Sequence, residues 1–341
     1  MIYRRTIAIA FAGIVGLLSL SGCSTMAPQQ VAMEEFMVPA TGGLKVYVRN
    51  KHLAGKSDYA PDKVVLFVHG ATYPAETAFD IDLPGGSWMD IAARRGFDTY
   101  MVDVRGYGRS ERPATMNQPA AEMSAIASGV MANGGLSAAV DFILKRRSIA
   151  KLNLVGWSWG TSMMAGYTAQ NNAKVNKLVL YATLWNFRDP PPISGTGHYR
   201  GVQKAAARQR GLLGIPTEKV EQISPTTWFD QWWAANLQSD PVGAAQNPPV
   251  LRAPNGVIKD LADYWTKGRP MYDPSEIRVP TMLILGEWDR ETPLYMSQEV
   301  FSKMTNAPTK RLVMIAEGTH AIVLEKNRME LIRQIQGFLE E

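Results

Sequence analysis

The sequence predicts an α/β fold with a mostly parallel, doubly wound sheet. Three observations carry that expectation. Short apolar runs of strand length alternate with segments of helical spacing, the rhythm a parallel sheet requires. One run, Leu152-Asn153-Leu154-Val155, leads straight into Gly156-Trp157-Ser158-Trp159-Gly160 and then into the Ala- and Met-rich stretch from Thr161 to Gln170. Two later apolar runs end in polar loops that carry Asp289 and His320, and strand C-terminal ends are where such sheets keep their sites.

The elements follow in order along the chain. Leu44 to Arg49 alternates apolar and polar residues and reads as an edge or hairpin strand. Val64 to Val68, Thr99 to Val104, Leu152 to Val155, Lys177 to Tyr181, Thr281 to Leu285 and Arg311 to Ile315 are further strands. Helical spacing fits Trp88 to Arg95, Leu136 to Arg147, Leu294 to Met304 and Lys326 to Leu339. Between Trp185 and about Asp273 the rhythm stops, with no apolar strand run and with Pro190, Pro191, Pro192 and Pro216 as punctuation. This divides the chain into a core of residues 40–184 and 274–341 and an insertion of residues 185–273 that caps the site.

Gly-x-Ser-x-Gly between a strand and a helix lifts the serine clear of the sheet on a sharp turn. The glycines are needed because a Cβ at either position collides with the neighbouring helix or strand. A serine hydroxyl needs a base to take its proton and a carboxylate to orient that base. Of the four histidines (His52, His69, His198 and His320), only His320 sits on a strand-end loop near the C-terminus, after Glu317-Gly318-Thr319. Asp289, in Gly286-Glu287-Trp288-Asp289-Arg290-Glu291-Thr292-Pro293, is the expected acid; Glu287 and Glu291 share its loop and stay open as alternatives. The oxyanion donors expected are the backbone N–H groups of Trp159, directly after the nucleophile, and of Ala71, where Gly70 lets the chain turn after Val68. His69 reads as a structural residue of that loop.

These pieces together resemble the α/β-hydrolase superfamily. The match rests on His69-Gly70, Asp103-Val104-Arg105-Gly106-Tyr107-Gly108-Arg109-Ser110, the elbow at Ser158, the Gly286-to-Pro293 segment and Gly318-Thr319-His320. The chain order Ser158, Asp289, His320 is the order of that superfamily and differs from two common protease orders. The resemblance implies an α/β-hydrolase fold with a helical cap and a Ser-His-Asp site. Ser158 argues against the superfamily's haloalkane dehalogenases and epoxide hydrolases, which use Asp as nucleophile.

At 341 residues and 46% hydrophobic, the chain suits one α/β core with an insertion. Residues 1–22 read as a signal peptide: Arg4 and Arg5, then an apolar run from Ile7 to Leu20 too short for a comfortable bilayer span. Leu20-Ser21-Gly22-Cys23 is similar to a bacterial lipobox, and Cys23 is the chain's single cysteine. That resemblance implies cleavage before Cys23, transfer of a diacylglyceryl group to it and anchoring in the cell envelope by acyl chains; two or more chains hold stably. Ser24, rather than Asp, points to the outer membrane, and residues 23–39 read as a tether. The net charge of +5, or +3 without Arg4 and Arg5, is too mild for nucleic-acid binding. No Cys/His metal cluster or phosphate-cradling Gly loop occurs in the sequence, so no cofactor or metal is expected.

Five of the nine tryptophans fall in the insertion: Trp185, Trp228, Trp232, Trp233 and Trp265. Most pack the cap onto the core, and Trp157, Trp185, Trp228 and Trp288 are candidates for the substrate pocket. The apolar cap favours a neutral, partly hydrophobic substrate and hydrolysis of a carboxylic ester through an acyl-enzyme. The alternatives are an amidase or aminopeptidase of the proline-iminopeptidase kind, which needs cap carboxylates such as Glu218, Glu221 or Asp230, a perhydrolase or C–C bond hydrolase, and a catalytically silent surface lipoprotein.

Overall fold

Residues 30–118, 129–189 and 197–341 are described by a computed structural model. The expected signal peptide and Cys23 lie outside them. Among the described residues the strands are β1 (Val31–Pro39), β2 (Lys45–Leu53), β3 (Val64–Val68), β4 (Asp98–Val102), β5 (Leu152–Trp157), β6 (Val175–Tyr181), β7 (Tyr199–Gln203), β8 (Val250–Pro254), β9 (Thr281–Gly286) and β10 (Lys310–Ile315). The helices of the core are α1 (Ala75–Phe79), α2 (Trp88–Arg94), α3 (Gly129–Arg147) and α4 (Trp159–Gln170). Those of the insertion are α5 (Lys204–Gly211), α6 (Val220–Ile223), α7 (Thr226–Gln238), α8 (Pro241–Ala244) and α9 (Gly256–Asp263). Two more, α10 (Leu294–Lys303) and α11 (Arg328–Glu340), complete the core.

Eight strands form one sheet in the order β1-β2-β4-β3-β5-β6-β9-β10. The pairs β1–β2 and β2–β4 are antiparallel; every other neighbour pair is parallel. The central strands β3, β4 and β5 are buried along their whole length, as a sheet covered on both faces demands. Residues from α3, α4 and α10 pack on one face, and residues from α1, α2 and α11 pack on the other. This is the doubly wound arrangement expected, with every expected strand and helix present, although α3 begins at Gly129, seven residues ahead of the expected Leu136.

Two expectations need correction. Residues 31–39, read as the end of a tether, form edge strand β1. Charged side chains broke its apolar pattern, yet they are paired: Glu34 with Arg146, and Glu35 with Tyr47, Arg49 and Arg109. Phe36 packs against Phe142 with ring centroids 5.0 Å apart and the rings tilted by 52°, which ties the strand to the core. The insertion, read as strandless, contains the antiparallel pair β7–β8. Tyr199-Arg200-Gly201-Val202-Gln203 carries no apolar run, and only its partner makes it a strand.

The Asp103 segment is a loop clamp. The Asp103 carboxylate accepts the N–H groups of Ala75 (2.8 Å) and Arg109 (2.9 Å), while Ser110 Oγ donates to its carbonyl (2.6 Å). Burial pushes the carboxyl up to about 6 against those two donors. Gly108, at φ +51°, lies where a Cβ would be 2.0 Å from Asp103 Oδ2, so the motif's second glycine is a requirement of this contact. No helix among the described residues is long and apolar enough to cross a membrane.

Candidate active site

Ser158 joins β5 to α4 at φ 56°, ψ −121°, a strained conformation for a residue with a side chain. Its backbone is pinned on both sides. Ser158 N–H donates to Tyr181 O (2.9 Å), and Thr161 donates to Ser158 O from both N–H (2.8 Å) and Oγ1 (2.6 Å). The flanking glycines permit the turn. A Cβ on Gly156 would lie 2.6 Å from Gly160 O, and one on Gly160 would lie 2.6 Å from Val68 O.

The parallel pair β9–β10 brings the other two residues together. Gly286 and Ile315 are paired at the ends of these strands, and a Cβ on Gly286 would lie 2.1 Å from Gly318 O. The two loops that follow are then joined by Trp288 N–H to Gly318 O at 2.8 Å. In this setting His320 Nδ1 meets Asp289 Oδ2 at 2.9 Å. A carboxylate only accepts, so Nδ1 carries the proton and Nε2 is left to take one. Asp289 is itself fixed by the N–H groups of Glu291 (2.9 Å) and Thr292 (2.8 Å) and by Thr292 Oγ1 (2.7 Å). Trp157 Nε1 (3.0 Å) and Tyr181 Oη (2.8 Å) both donate to the His320 carbonyl. Burial opposes an imidazolium at His320, but the facing carboxylates of Asp289 and Glu291 outweigh it and raise the pKa.

Of the alternative acids, Glu287 accepts from Glu317 N–H on the exposed side of the loop. Glu291 stands near His320 Nε2, where Arg210 grips it through Nε (2.9 and 3.0 Å) and Nη2; burial is overcome by that guanidinium and the carboxyl falls to about 2. Ser158 and His320 line one cavity; among the described residues no hydrogen bond joins Ser158 Oγ to the imidazole. Such contacts often tighten only when substrate arrives.

The loop expected to supply an oxyanion donor, at Gly70 and Ala71, is held from behind. His69 is fully buried, accepts Val104 N–H at Nε2 (2.9 Å) and meets Gly70 O through Nδ1 (2.7 Å). Burial lowers its pKa to about 4, so the ring is neutral and structural, as expected. A planar trans peptide points its N–H opposite its carbonyl, so the Ala71 N–H is turned away from His69. Trp159 N–H, at the first position of α4, has no intrahelical acceptor. Arg200, from β7, steadies the next peptide: its Nη2 donates to Ala71 O (2.6 Å) and Thr72 Oγ1 (2.7 Å).

One cavity, open to solvent at its mouth, lies between the loops that carry Ala71, Ser158 and His320 and residues of α5 and α7. Of the expected pocket tryptophans, Trp157 and Trp228 line it, with Tyr73, Phe229 and Trp232 beside them. Trp185 and Trp288 do not. The Trp185 ring is buried edge-on against Tyr272, 5.1 Å away, and the Trp288 ring lies under Lys219 Nζ. The Trp159 ring is buried too, donating Nε1 to Asp260 of α9 (2.8 Å). The sequence reading missed Arg208, Arg210 and Glu325, which also line the cavity; α5 shows no local signal that sets its arginines apart from surface ones. Among the described residues no cluster of His, Cys, Asp or Glu side chains is arranged to hold a metal ion.

Comparison with known proteins agrees with this architecture. Residues 63–327 match the family model described as the alpha/beta hydrolase fold. Lipase member M of Homo sapiens is 35% identical over 100 residues, 29% of this chain and 23% of that protein. The chain thus matches only about a quarter of that relative's length. A thioesterase domain from the curacin biosynthetic pathway superposes with a TM-score of 0.58 at 18% identity, covering 91% of this chain and 100% of that one. An esterase from Exiguobacterium antarcticum gives 0.57 at 17%, covering 90% and 100%. On the strength of the family match over most of its length, the chain belongs to the α/β-hydrolase family.

Proposed function

We propose that the protein is a serine hydrolase that cleaves carboxylic esters through an acyl-enzyme. The observation that carries this reading is the strained Ser158 opening onto the same cavity as an imidazole already oriented by Asp289. In the proposed cycle Ser158 Oγ attacks the ester carbonyl as His320 Nε2 takes its proton. The Ala71 and Trp159 N–H groups hold the oxyanion. His320 then protonates the leaving alcohol and activates the water that hydrolyses the acyl-enzyme.

The aminopeptidase alternative loses its support in the cap. Glu221 caps α7 by accepting from Thr226, Asp230 pairs with Lys204, and neither they nor Glu218 line the cavity. The carboxylates that do line it are engaged, Glu291 with Arg210 and Glu325 with Thr319, so neither stands free for a substrate's ammonium group.

The test is covalent labelling of the full-length protein by a fluorophosphonate, beside turnover of a chromogenic ester. Both are expected to vanish in Ser158→Ala. A Ser158→Ala protein that keeps full esterase activity would end this reading, and an unlabelled wild-type protein would point to a silent surface lipoprotein. The reading extends to the envelope: the lipobox-like Leu20-Ser21-Gly22-Cys23 supports anchoring by acyl chains. Incorporation of labelled palmitate into the wild-type protein but not into Cys23→Ser is the expected result.

A further inference from the structure

The charge lining the cavity is unevenly spent. Arg208 and Arg210, both from α5, reach it, and a guanidinium carries five N–H donors. Arg210 uses Nε and Nη2 on Glu291 and Nη1 on Thr72 Oγ1 (2.7 Å). Arg208 uses Nη1 on Ser224 Oγ (2.9 Å) and Nη2 on Ser224 O (2.8 Å) and Thr226 Oγ1 (3.4 Å), all neutral oxygens. Its nearest carboxylate, Glu221, is 3.6 Å away and 66% exposed, so water screens most of that pairing. Arg200 adds a third guanidinium behind the oxyanion loop, bonded through both Nη atoms to neutral acceptors. Against these three cations stand Glu291, already paired with Arg210, and Glu325, which is bonded to Thr319.

A guanidinium fork with spare donors, lining the same cavity as Ser158, matches a carboxylate or phosphate better than any neutral group. We propose that the substrate carries an anionic group, a carboxylate or a phosphate, which Arg208 and Arg210 hold beside the reacting carbonyl. This rests on the ester-hydrolase reading and replaces the expected neutral substrate with an anionic ester whose apolar part lies along Tyr73, Trp228, Phe229 and Trp232. Arg210 has two N–H groups left after Glu291 and Thr72 are served, so an incoming anion bridges the two arginines without displacing Glu291.

Two matched ester pairs and one binding measurement on the full-length protein test the subsite. The first pair is 4-nitrophenyl hexanoate and the mono-4-nitrophenyl ester of adipate, which differ by a terminal carboxylate on the acyl side. The second is monohexanoylglycerol and its 3-phosphate, which differ by a phosphate on the alcohol side. In at least one pair the anionic member is expected to show a kcat/KM higher by roughly tenfold or more, the scale of a charge-assisted hydrogen bond. The pair that shows it distinguishes carboxylate from phosphate. Arg208→Gln is expected to erase that ratio and Arg208→Lys to restore part of it. Equal or lower rates for both anionic esters, or a ratio unmoved by Arg208→Gln, would overturn the subsite. Titration calorimetry of adipate and glycerol 3-phosphate into Ser158→Ala protein reads the site without turnover. Binding of one anion that is lost on adding Arg208→Gln supports it, and no binding of either sinks it. Anion binding without cleavage of any ester keeps the subsite and sinks the hydrolase reading instead.

Discussion

Glu291 Oε2 lies 4.0 Å from His320 Nε2, so the imidazole stands between two carboxylates, with Asp289 on its other nitrogen. Both favour the imidazolium and together raise the pKa of a ring that burial alone would depress. As the proposed base His320 works deprotonated, so kcat/KM is expected to climb with pH through a value above the ordinary imidazole range. Glu291→Gln removes one of the two anions and leaves Arg210 uncompensated, which shifts that acid limb to lower pH. A pH profile with its limb unmoved or moved upward would contradict this account.

Asp289→Asn keeps the shape of the loop but offers Nδ1 no full charge and permits the wrong tautomer. A loss of roughly 10⁴-fold in kcat is expected. Circular dichroism matching the wild type establishes that the loss is chemical. Because Glu291 faces the other nitrogen, it cannot substitute for Asp289, and a residual activity near wild type would show that it does.

Glu325 makes stability depend on pH. Burial is the main cause of its high pKa, about 7, while its bonds to Thr319 pull the other way. Between the ordinary carboxyl value of 4.5 and about 7, the folded protein binds more protons than the unfolded chain, so stability falls as pH rises through that window. Glu325→Gln keeps an acceptor for Thr319 and removes the titration. Its melting temperature, compared with wild type, is expected to improve progressively from pH 5 to pH 8; a constant difference across that range would remove Glu325 as the cause.

Gly160→Ala places a methyl 2.6 Å from Val68 O and 2.7 Å from His69 O, both backbone atoms that cannot swing aside. A cost of about 1–3 kcal/mol is expected from such overpacking. Since His69 anchors the Ala71 peptide, activity is expected to fall beyond what the lost stability explains. Urea unfolding and kcat on the folded fraction measure the two effects separately.

Trp228 and Trp185 separate pocket from packing. Trp228→Ala is expected to raise KM for long apolar esters, because its ring lines the cavity. Trp185→Ala empties a buried site and is expected to cost about 3–5 kcal/mol of stability while leaving KM unchanged in the folded protein. An equal rise in KM for both would show that Trp185 reaches the substrate after all.

The sheet was legible in the sequence wherever a strand was buried on both faces, because burial forces a continuous apolar run, as in Val64–Val68 and Thr281–Gly286. Strand β1 was hidden, since its charges are neutralised by partners as far away as Arg146. Strand β7 was hidden because only β8 makes it a strand.

The elbow at Ser158 was determined locally: five residues, two of them glycines that no Cβ could replace without a clash, set the turn. The order of Ser158, Asp289 and His320 along the chain likewise named the candidates. Only the tertiary structure decided that Asp289, rather than Glu287 or Glu291, meets Nδ1, and that Trp157 and Trp228, rather than Trp185 and Trp288, line the cavity. It also decided that Arg210 of α5 meets both Thr72, 138 positions earlier in the chain, and Glu291, 81 positions later. Side-chain direction at such distances follows from how loops and cap pack, and no local pattern of residue types encodes that packing.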